Sequence, residues 1–300
     1  MSDHRPLKVF VATGGHAFAR DAFEEMVRAV GVQPCFVDQP AAAMLMNPDG
    51  LRGIDVVLLY DMPGMDFAAP VETRPEPVAP PPELVAGLAA LVEQGMGFVA
   101  LHHALAGWPA WPAYSELLGG AFLYRPRIVR SEHRAGSVYC PEARYEVKTA
   151  GGAHPVLAGV PDRFELVDEP YRHELFEADI EPLLWRGPVD GRFLSATHAV
   201  RRLPDPGMEP QAPESAIIGW ATSAGNSPVV SLQPGDRAET FAHPVYRTLV
   251  GNALRWVATP SARAWAATRG RTIAFDNDSP SGKRSDKPEF APSAPAGAAP

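Results

Sequence analysis

Two adjacent histidines, His102 and His103, are the first candidates for chemistry, because they directly follow an apolar run at residues 98–101. Alanine lies two positions before His102 and again two positions after it. Small residues at these positions allow the sharp strand-to-helix turn of a nucleophile elbow, which exposes one reactive side chain. The pattern predicts an elbow that carries an imidazole instead of an oxygen or sulfur nucleophile. The alternative is a buried strand that ends in two polar residues.

Other polar side chains also follow predicted strands. The predicted strand ends and their polar residues are His16 after residues 7–13, Asp61 after residues 55–60, and His102 with His103 after residues 97–101. In an open parallel sheet, ligands bind in the crevice at the carboxyl ends of the strands. These side chains are therefore expected along one edge. Each has a structural alternative: His16 could cap the next helix, His103 could be a core histidine, and Asp61 could simply end its strand.

The elements that must position these residues alternate along the chain. Apolar runs and turn residues predict strands at 7–13, 34–38, 55–60, 97–101, 145–148, 164–167, 193–197, 216–221 and 228–232. Apolar residues at helical spacing predict helices at 19–30, 82–94, 114–118 and 244–257. Continuous apolar strands that alternate with helices favour a parallel sheet covered on both faces. We therefore predict an α/β, flavodoxin-like fold with a mostly parallel central sheet.

Domain organisation follows from composition. Residues 1–260 are predicted to form one domain, followed by an extension at 261–300. From about residue 272 the extension is rich in Ser, Pro and Ala, a composition that predicts disorder. A proline-rich loop, Pro63–Pro82, is too long for a simple connection and is interpreted as a flap over the sheet edge or an oligomer contact. The sequence therefore leaves open whether the protein forms a homo-oligomer.

Composition excludes several classes of partner. The net charge is −8, hydrophobic residues make up 46% of the chain, and no basic run occurs. These features are not those of a nucleic-acid-binding or membrane-surface protein, and no apolar run is long enough to span a bilayer. Cys35 and Cys140 lack the spacing of a metal or redox motif. They predict free thiols and a cytoplasmic protein.

Several segments, in this order, resemble the ThuA-like (trehalose utilisation) family, whose fold is that of class I glutamine amidotransferases. The matching segments are Gly14-Gly15-His16, Val99–Ala104, Tyr114–Phe122, His154–Pro161, Phe164–Tyr171, Val230–Gly235 and Asn252–Trp256. Together they cover roughly residues 7–258. Their order and spacing carry the assignment more than any single segment does.

The resemblance argues against one activity. Glutamine amidotransferases need a cysteine, a histidine base and an orienting carboxylate. In this chain His102 takes the place of the elbow cysteine. Gln233-Pro234-Gly235 takes the place of the later His-Pro-Glu segment. Glutamine hydrolysis is therefore not expected.

The resemblance also implies a site. Members of the family generally carry histidines at the places of His16 and His102 and an acid at the place of Glu169. These three residues are predicted to be catalytic. They could hold Zn²⁺ or Mn²⁺, or they could act as a metal-free acid–base set. Many members have a further histidine just after the strand that ends at Leu232, where this chain has Gln233 and Asp236. No nucleotide cofactor is predicted.

A sugar pocket is the second implied feature. Its predicted lining residues are His103, Trp108, Asp61, Tyr171 and Gln233. Trp108 and Trp111 could stack on a carbohydrate or could pack in the core. Glu169 could instead belong to a turn closed by Asp168 and Pro170.

The resemblance places the protein in disaccharide catabolism. The implied activity is that of a hydrolase, lyase or isomerase on an oxidised, 3-keto sugar or glycoside. The alternative is a non-catalytic sugar-binding or assembly protein on a degenerate amidotransferase scaffold.

Overall fold

The computed structural model describes residues 5–67, 69–70, 76–196 and 213–275 of the 300-residue chain. The strands are β1 Lys8–Thr13, β2 Gln33–Asp38, β3 Val56–Leu59, β4 Gly97–Leu101, β5 Gly120–Ala121, β6 Arg127–Val129, β7 Glu132–Arg134, β8 Val138–Tyr139, β9 Ala143–Thr149, β10 Arg163–Asp168, β11 Tyr171–Arg172, β12 Glu174–Leu175, β13 Glu181–Arg186, β14 Leu194–Ser195, β15 Ile217–Ala224 and β16 Ser227–Leu232. The α-helices are α1 Arg20–Ala29, α2 Ala41–Leu45, α3 Pro82–Glu93, α4 Pro112–Leu118, α5 Ala238–Ala242, α6 Pro244–Val257 and α7 Pro260–Arg269.

Nine strands form one mixed sheet in the order β10-β9-β13-β15-β16-β4-β3-β1-β2. The five strands from β16 to β2 run parallel, and the other four are joined to them by antiparallel pairing. Apart from Lys8, the four strands β1, β3, β4 and β16 of the parallel half are buried on both faces, whereas the edge strand β2 is only partly buried. The α/β, flavodoxin-like class is thereby confirmed.

Alternate residues of the central strands pack into two separate hydrophobic cores, one on each face of the sheet. Val99 and Leu101 of β4 lie in the cluster covered by α1 and α6, whereas Phe98 and Ala100 lie in the cluster covered by α2, α3 and α4. This period of two is the geometric property of a β-strand. Helices therefore cover both faces, and the crevice at the carboxyl ends of the strands is left for a site.

Most predicted elements are present. The boundaries of α3 and α6 agree with the predicted helices to within one residue. His154 accepts a hydrogen bond from Val156 N at the start of a short 3₁₀ helix, and His243 directly precedes α6, so each histidine lies at the start of a helix. Both cysteines are free thiols, also as predicted. None of the described helices is long and apolar enough to cross a membrane.

The C-terminal part of the described chain packs on the domain. Helix α7 lies across the predicted boundary at residue 260, and its Ala262 and Ala266 are buried. Beyond it, Ile273 and Phe275 pack against the second core cluster, so packing extends slightly past the predicted limit of about residue 272. The rest of the predicted disordered tail, residues 276–300, lies outside the described residues.

Truncation after Gly270 should lower the melting temperature by several degrees. It removes two partly buried apolar side chains, each of which contributes about 1 kcal/mol. It also removes Arg271, which donates to Ser223 O at 2.8 Å and to Glu116 Oε2 at 2.7 Å. Thermal unfolding of chains ending at residues 270 and 275 measures the difference. Equal melting temperatures for the two truncated chains would contradict the packing.

Candidate functional site

The backbone at the end of β4 forms the predicted elbow. His102 has a φ of +34°, in the left-handed region that residues other than glycine seldom adopt. It begins a 3₁₀ helix, His102–Ala106, so strand passes directly into helix at this residue. Ala100 and Ala104 are both buried on either side of the turn. The small-residue spacing therefore corresponds to a real, strained turn.

The imidazole of His102 is held by both ring nitrogens. Its Nδ1 lies 2.7 Å from Gln233 O. A carbonyl oxygen can only accept, so Nδ1 carries the proton and donates. Its Nε2 lies 2.7 Å from the hydroxyl oxygen of Tyr171, which donates to it when the ring is neutral. Nε2 is thus the nitrogen available for proton transfer or for an ion.

Two carboxylates converge on the same nitrogen. Glu169 Oε1 lies 3.4 Å and Asp236 Oδ1 lies 3.7 Å from His102 Nε2. Asp236 Oδ1 is also 3.4 Å from Nε2 of His103. The side chain of His102 is fully buried, while those of Glu169 and Asp236 are 19% and 28% exposed. The group therefore opens to solvent on the side of the carboxylates.

The two adjacent histidines, His102 and His103, differ in pKa. Burial acts to lower the pKa of His102, but Glu169 and Asp236 outweigh it and raise that pKa to about 9. Burial lowers the pKa of His103 to about 4 despite its contact with Asp236. Burial also raises the pKa of Glu169. At neutral pH the site therefore pairs a protonated His102 with a neutral His103.

Asp168 holds the loop that carries Asp236. Its buried carboxylate accepts backbone hydrogen bonds from Gly235 N at 2.6 Å, Asp236 N at 3.0 Å and Arg237 N at 3.2 Å. Gly235 has a φ of +130°, and a Cβ there would collide with the Tyr246 hydroxyl. The loop thus requires glycine at one position and a buried acceptor opposite it.

His16 joins the cluster indirectly. Its exposed ring packs edge-on against His103, with centroids 4.8 Å apart, and against Phe67 at 5.2 Å. The helix-capping alternative for His16 is wrong, because no side chain caps α1, which begins at Arg20. His103 stacks on Tyr60, with centroids 4.9 Å apart, so it is also a packed histidine.

Three other predicted residues lie away from His102. Trp108 and Trp111 are both buried in the second core cluster, which supports the core-packing alternative over sugar stacking. Asp61 is fully buried, accepts a hydrogen bond from Gln39 Nε2 at 2.6 Å and has a pKa raised by burial to about 6. Substrate contact by Trp108 or Asp61 is not supported by this packing.

The proline-rich loop folds back over the site edge. In its described part, Met65 and Phe67 pack with Tyr124 and Tyr171. Phe67 also contacts His16, and Pro63 O accepts from Trp108 N at 2.7 Å. Of the two interpretations, these contacts favour a flap over the crevice.

The donor set is suited to a divalent metal. Among the described residues, one group of ligand atoms lies within 4.8 Å of one another, and it comprises His102, His103 and Asp236. Two imidazole nitrogens and a carboxylate oxygen are common ligands of Zn²⁺. The group shares only His102 with the predicted set of His16, His102 and Glu169. Glu169 lies beside it, whereas His16 contacts it through His103.

Asp236 lies in the sequence near the place of a family histidine, but it is not among the predicted site residues. It comes four residues after Leu232, where β16 ends next to β4. An acid this close to the carboxyl end of a buried parallel strand was the available signal. The position of the Asp236 side chain depends on the hydrogen bonds between Asp168 and the backbone of residues 235–237. The spacing of residues in the sequence does not reveal these bonds.

Comparisons with known proteins agree with this architecture. Two solved structures described as ThuA-like proteins share the fold. The one from Parabacteroides merdae is 16% identical over 85% of this chain and 91% of its own, with a TM-score of 0.57. The one from Bacteroides uniformis is 18% identical over 86% and 93%, also with a TM-score of 0.57. No curated protein matches the chain. The family model described as "ThuA: Trehalose utilisation" matches residues 8–257, and the chain therefore belongs to the ThuA family.

Proposed function

We propose that this protein is an enzyme of disaccharide catabolism that acts on a 3-keto sugar or glycoside by acid–base catalysis, with Glu169 as the base and His102 as the acid. The observation that carries the proposal is the approach of Glu169 Oε1 and Asp236 Oδ1 to one imidazole nitrogen, His102 Nε2. A carboxylate and an imidazolium so placed supply a base and an acid to one substrate.

The roles follow from the charges. A keto group acidifies the C–H bond on the neighbouring carbon. The carboxylate of Glu169, whose pKa is raised by burial, takes that proton, and the electron pair moves to the carbonyl oxygen. The protonated Nε2 of His102 stabilises or protonates the resulting enolate oxygen. Isomerisation follows when Glu169 returns the proton to the former carbonyl carbon, while the neighbouring hydroxyl gives its proton to His102 and becomes the new carbonyl. Elimination follows when the glycosidic oxygen leaves from the next carbon and takes the proton held by Glu169, which gives an alcohol and an unsaturated keto sugar.

A metal would take over the role of the His102 proton, because Nε2 cannot hold a proton and an ion at the same time. The donor atoms of His102, His103 and Asp236 would hold a divalent cation. When bound, Zn²⁺ or Mn²⁺ would act as a Lewis acid on a substrate oxygen. Glu169 would still be the base, because its carboxylate is not part of that group of ligand atoms.

Proton exchange tests the function. Purified protein is incubated in D₂O with a 3-keto glycoside, with and without added Mn²⁺, and NMR follows the hydrogen next to the carbonyl. We expect deuterium at that carbon together with elimination or isomerisation, while the unoxidised glycoside stays unchanged. Binding of the keto sugar with no exchange under either condition would support the sugar-binding alternative and overturn the proposal.

Metal affinity should increase with pH. Because the pKa of His102 is raised to about 9, an ion that binds its Nε2 at neutral pH must displace a proton. Below that pKa, the dissociation constant for Mn²⁺ should fall by about tenfold for each unit of pH. Calorimetric titrations in buffers of different ionisation enthalpy measure both the affinity and the proton released. An affinity independent of pH would exclude His102 as a ligand.

Glutamine should not be hydrolysed. The elbow carries His102, and the later strand is followed by Gln233 and Gly235, so neither a thiolate nor its base and carboxylate are present at those places. Ammonia release from glutamine should equal that of buffer. Release above that level, lost on replacing His102, would contradict the expectation.

A further inference from the structure

The side chain of Gln233 hydrogen-bonds to the backbone of the neighbouring segment, and its Nε2 also lies 3.5 Å from His102 Nδ1. This side chain is fully buried. Its Oε1 accepts from Tyr171 N at 3.2 Å, and its Nε2 donates to Glu169 O at 2.9 Å. Both polar atoms therefore have protein partners. The amide is not available to a substrate, which corrects the predicted substrate-binding role of Gln233.

The two hydrogen bonds of the Gln233 amide are made to the residues on either side of a proline. Pro170 lies between Glu169 and Tyr171 and has no N–H group. The buried turn therefore needs an external partner for its backbone, since unpaired buried polar groups are costly. The Gln233 amide supplies one acceptor and one donor at the spacing of the turn.

The same residue also contacts the elbow. Its backbone oxygen accepts the His102 Nδ1 proton, because β16 and β4 pair in register up to Leu232 and Leu101. Gln233 thus contacts the base, the hydroxyl-bearing tyrosine and the imidazole together. Its backbone orients the ring, and its side chain fixes the two groups that face Nε2.

We propose that the Gln233 side chain is a positioning residue that holds Glu169 and Tyr171 against His102 Nε2. In this chain it occupies the place where the amidotransferase pattern has a histidine. Its effect on catalysis rests on the proposed function, whereas its effect on the geometry around His102 does not.

Replacing Gln233 by leucine tests the proposal, since leucine keeps a similar volume and removes both hydrogen bonds. The matched control is Thr240→Val, because Thr240 is equally buried and donates only to Val167 O, at 3.1 Å. Two readouts are taken from each variant: ¹⁵N NMR of the His102 ring without substrate, and kcat with KM on the keto sugar.

In Gln233→Leu, we expect the Nε2 resonance of His102 to move towards that of an imidazole in water, while the bond from Nδ1 to the backbone oxygen of residue 233 is kept. We expect kcat to fall by about 10²-fold, with KM little changed, because small misplacements of reacting groups have effects of that size. Thr240→Val should alter neither readout. An unchanged Nε2 resonance, or equal changes in both variants, would overturn the proposal.

Gln233→Met covers the case in which the leucine variant does not fold. Methionine matches the length and flexibility of glutamine, adds no charge, and has neither the donor to Glu169 O nor the oxygen acceptor for Tyr171 N. The Nε2 resonance should again move and kcat should again fall. A normal resonance and normal kcat in this variant would refute the positioning role. If the unmodified protein is inactive on keto sugars, the proposed function fails, and the NMR readout still decides the role of Gln233.

Discussion

Replacing His102 by asparagine should lower kcat on a 3-keto glycoside by about 10²–10⁴-fold, the usual contribution of a positioned acid or base. Asparagine tolerates the left-handed backbone at this residue better than most side chains do, so the turn should be retained. It has no group that titrates or that can carry the proton of Nε2. Steady-state kinetics and a melting curve, measured together, separate lost chemistry from lost structure.

His133→Asn is the matched control for this experiment, because His133 is an exposed histidine on the β6–β7 hairpin. It should keep full activity. His102 is fully buried and bonded at both nitrogens, so its replacement will also lower the melting temperature. Activity within tenfold of the unmodified protein would rule out His102 as the acid.

Replacing Asp168 by alanine should lower the free energy of unfolding by about 3 kcal/mol or more. The change leaves three backbone N–H groups, at residues 235–237, without their acceptor, and each unpaired buried donor costs about 1–3 kcal/mol. Asp168→Asn should have a smaller effect, because it keeps one carbonyl oxygen as an acceptor. Urea denaturation measures both values.

The control for that series is Asp162→Ala, which removes the same charge from an exposed residue just before β10. It should change the free energy of unfolding by less than about 0.5 kcal/mol. A similarly small loss for Asp168→Ala would show that the 235–237 loop does not depend on this carboxylate.

Strands β1, β3 and β4 of the parallel half could be predicted from sequence because each contains a continuous apolar run between turn residues. Strand β13, Glu181–Arg186, has no such signal, since it begins with a charged residue and proline and is only partly buried. It is stabilised by pairing with β9 and β15 rather than by its own pattern. Helix α7 is missing from the prediction although Pro260 and Gly270 are typical end signals.

Within the site, the residues next to strand ends were predictable, and the loop residues were not. His102 and His103 follow β4 directly, so their place at the carboxyl edge depends only on sheet geometry. Trp108 is close in sequence, yet the turn after His102 sends it into the core. Asp236 reaches the site because Asp168, from another part of the chain, fixes its loop. Such contacts are distant in sequence and leave no periodic pattern.

The bond from His102 Nδ1 to a main-chain oxygen affects which residues of this site can be exchanged without changing the orientation of the imidazole ring. Every amino acid at position 233 has the same backbone carbonyl. The pairing of β16 with β4, and not any side chain, therefore determines that Nδ1 of the His102 ring is the nitrogen that donates to it. Evolution or design can therefore exchange residue 233 and the loop after it, changing what faces Nε2, while the imidazole keeps its orientation.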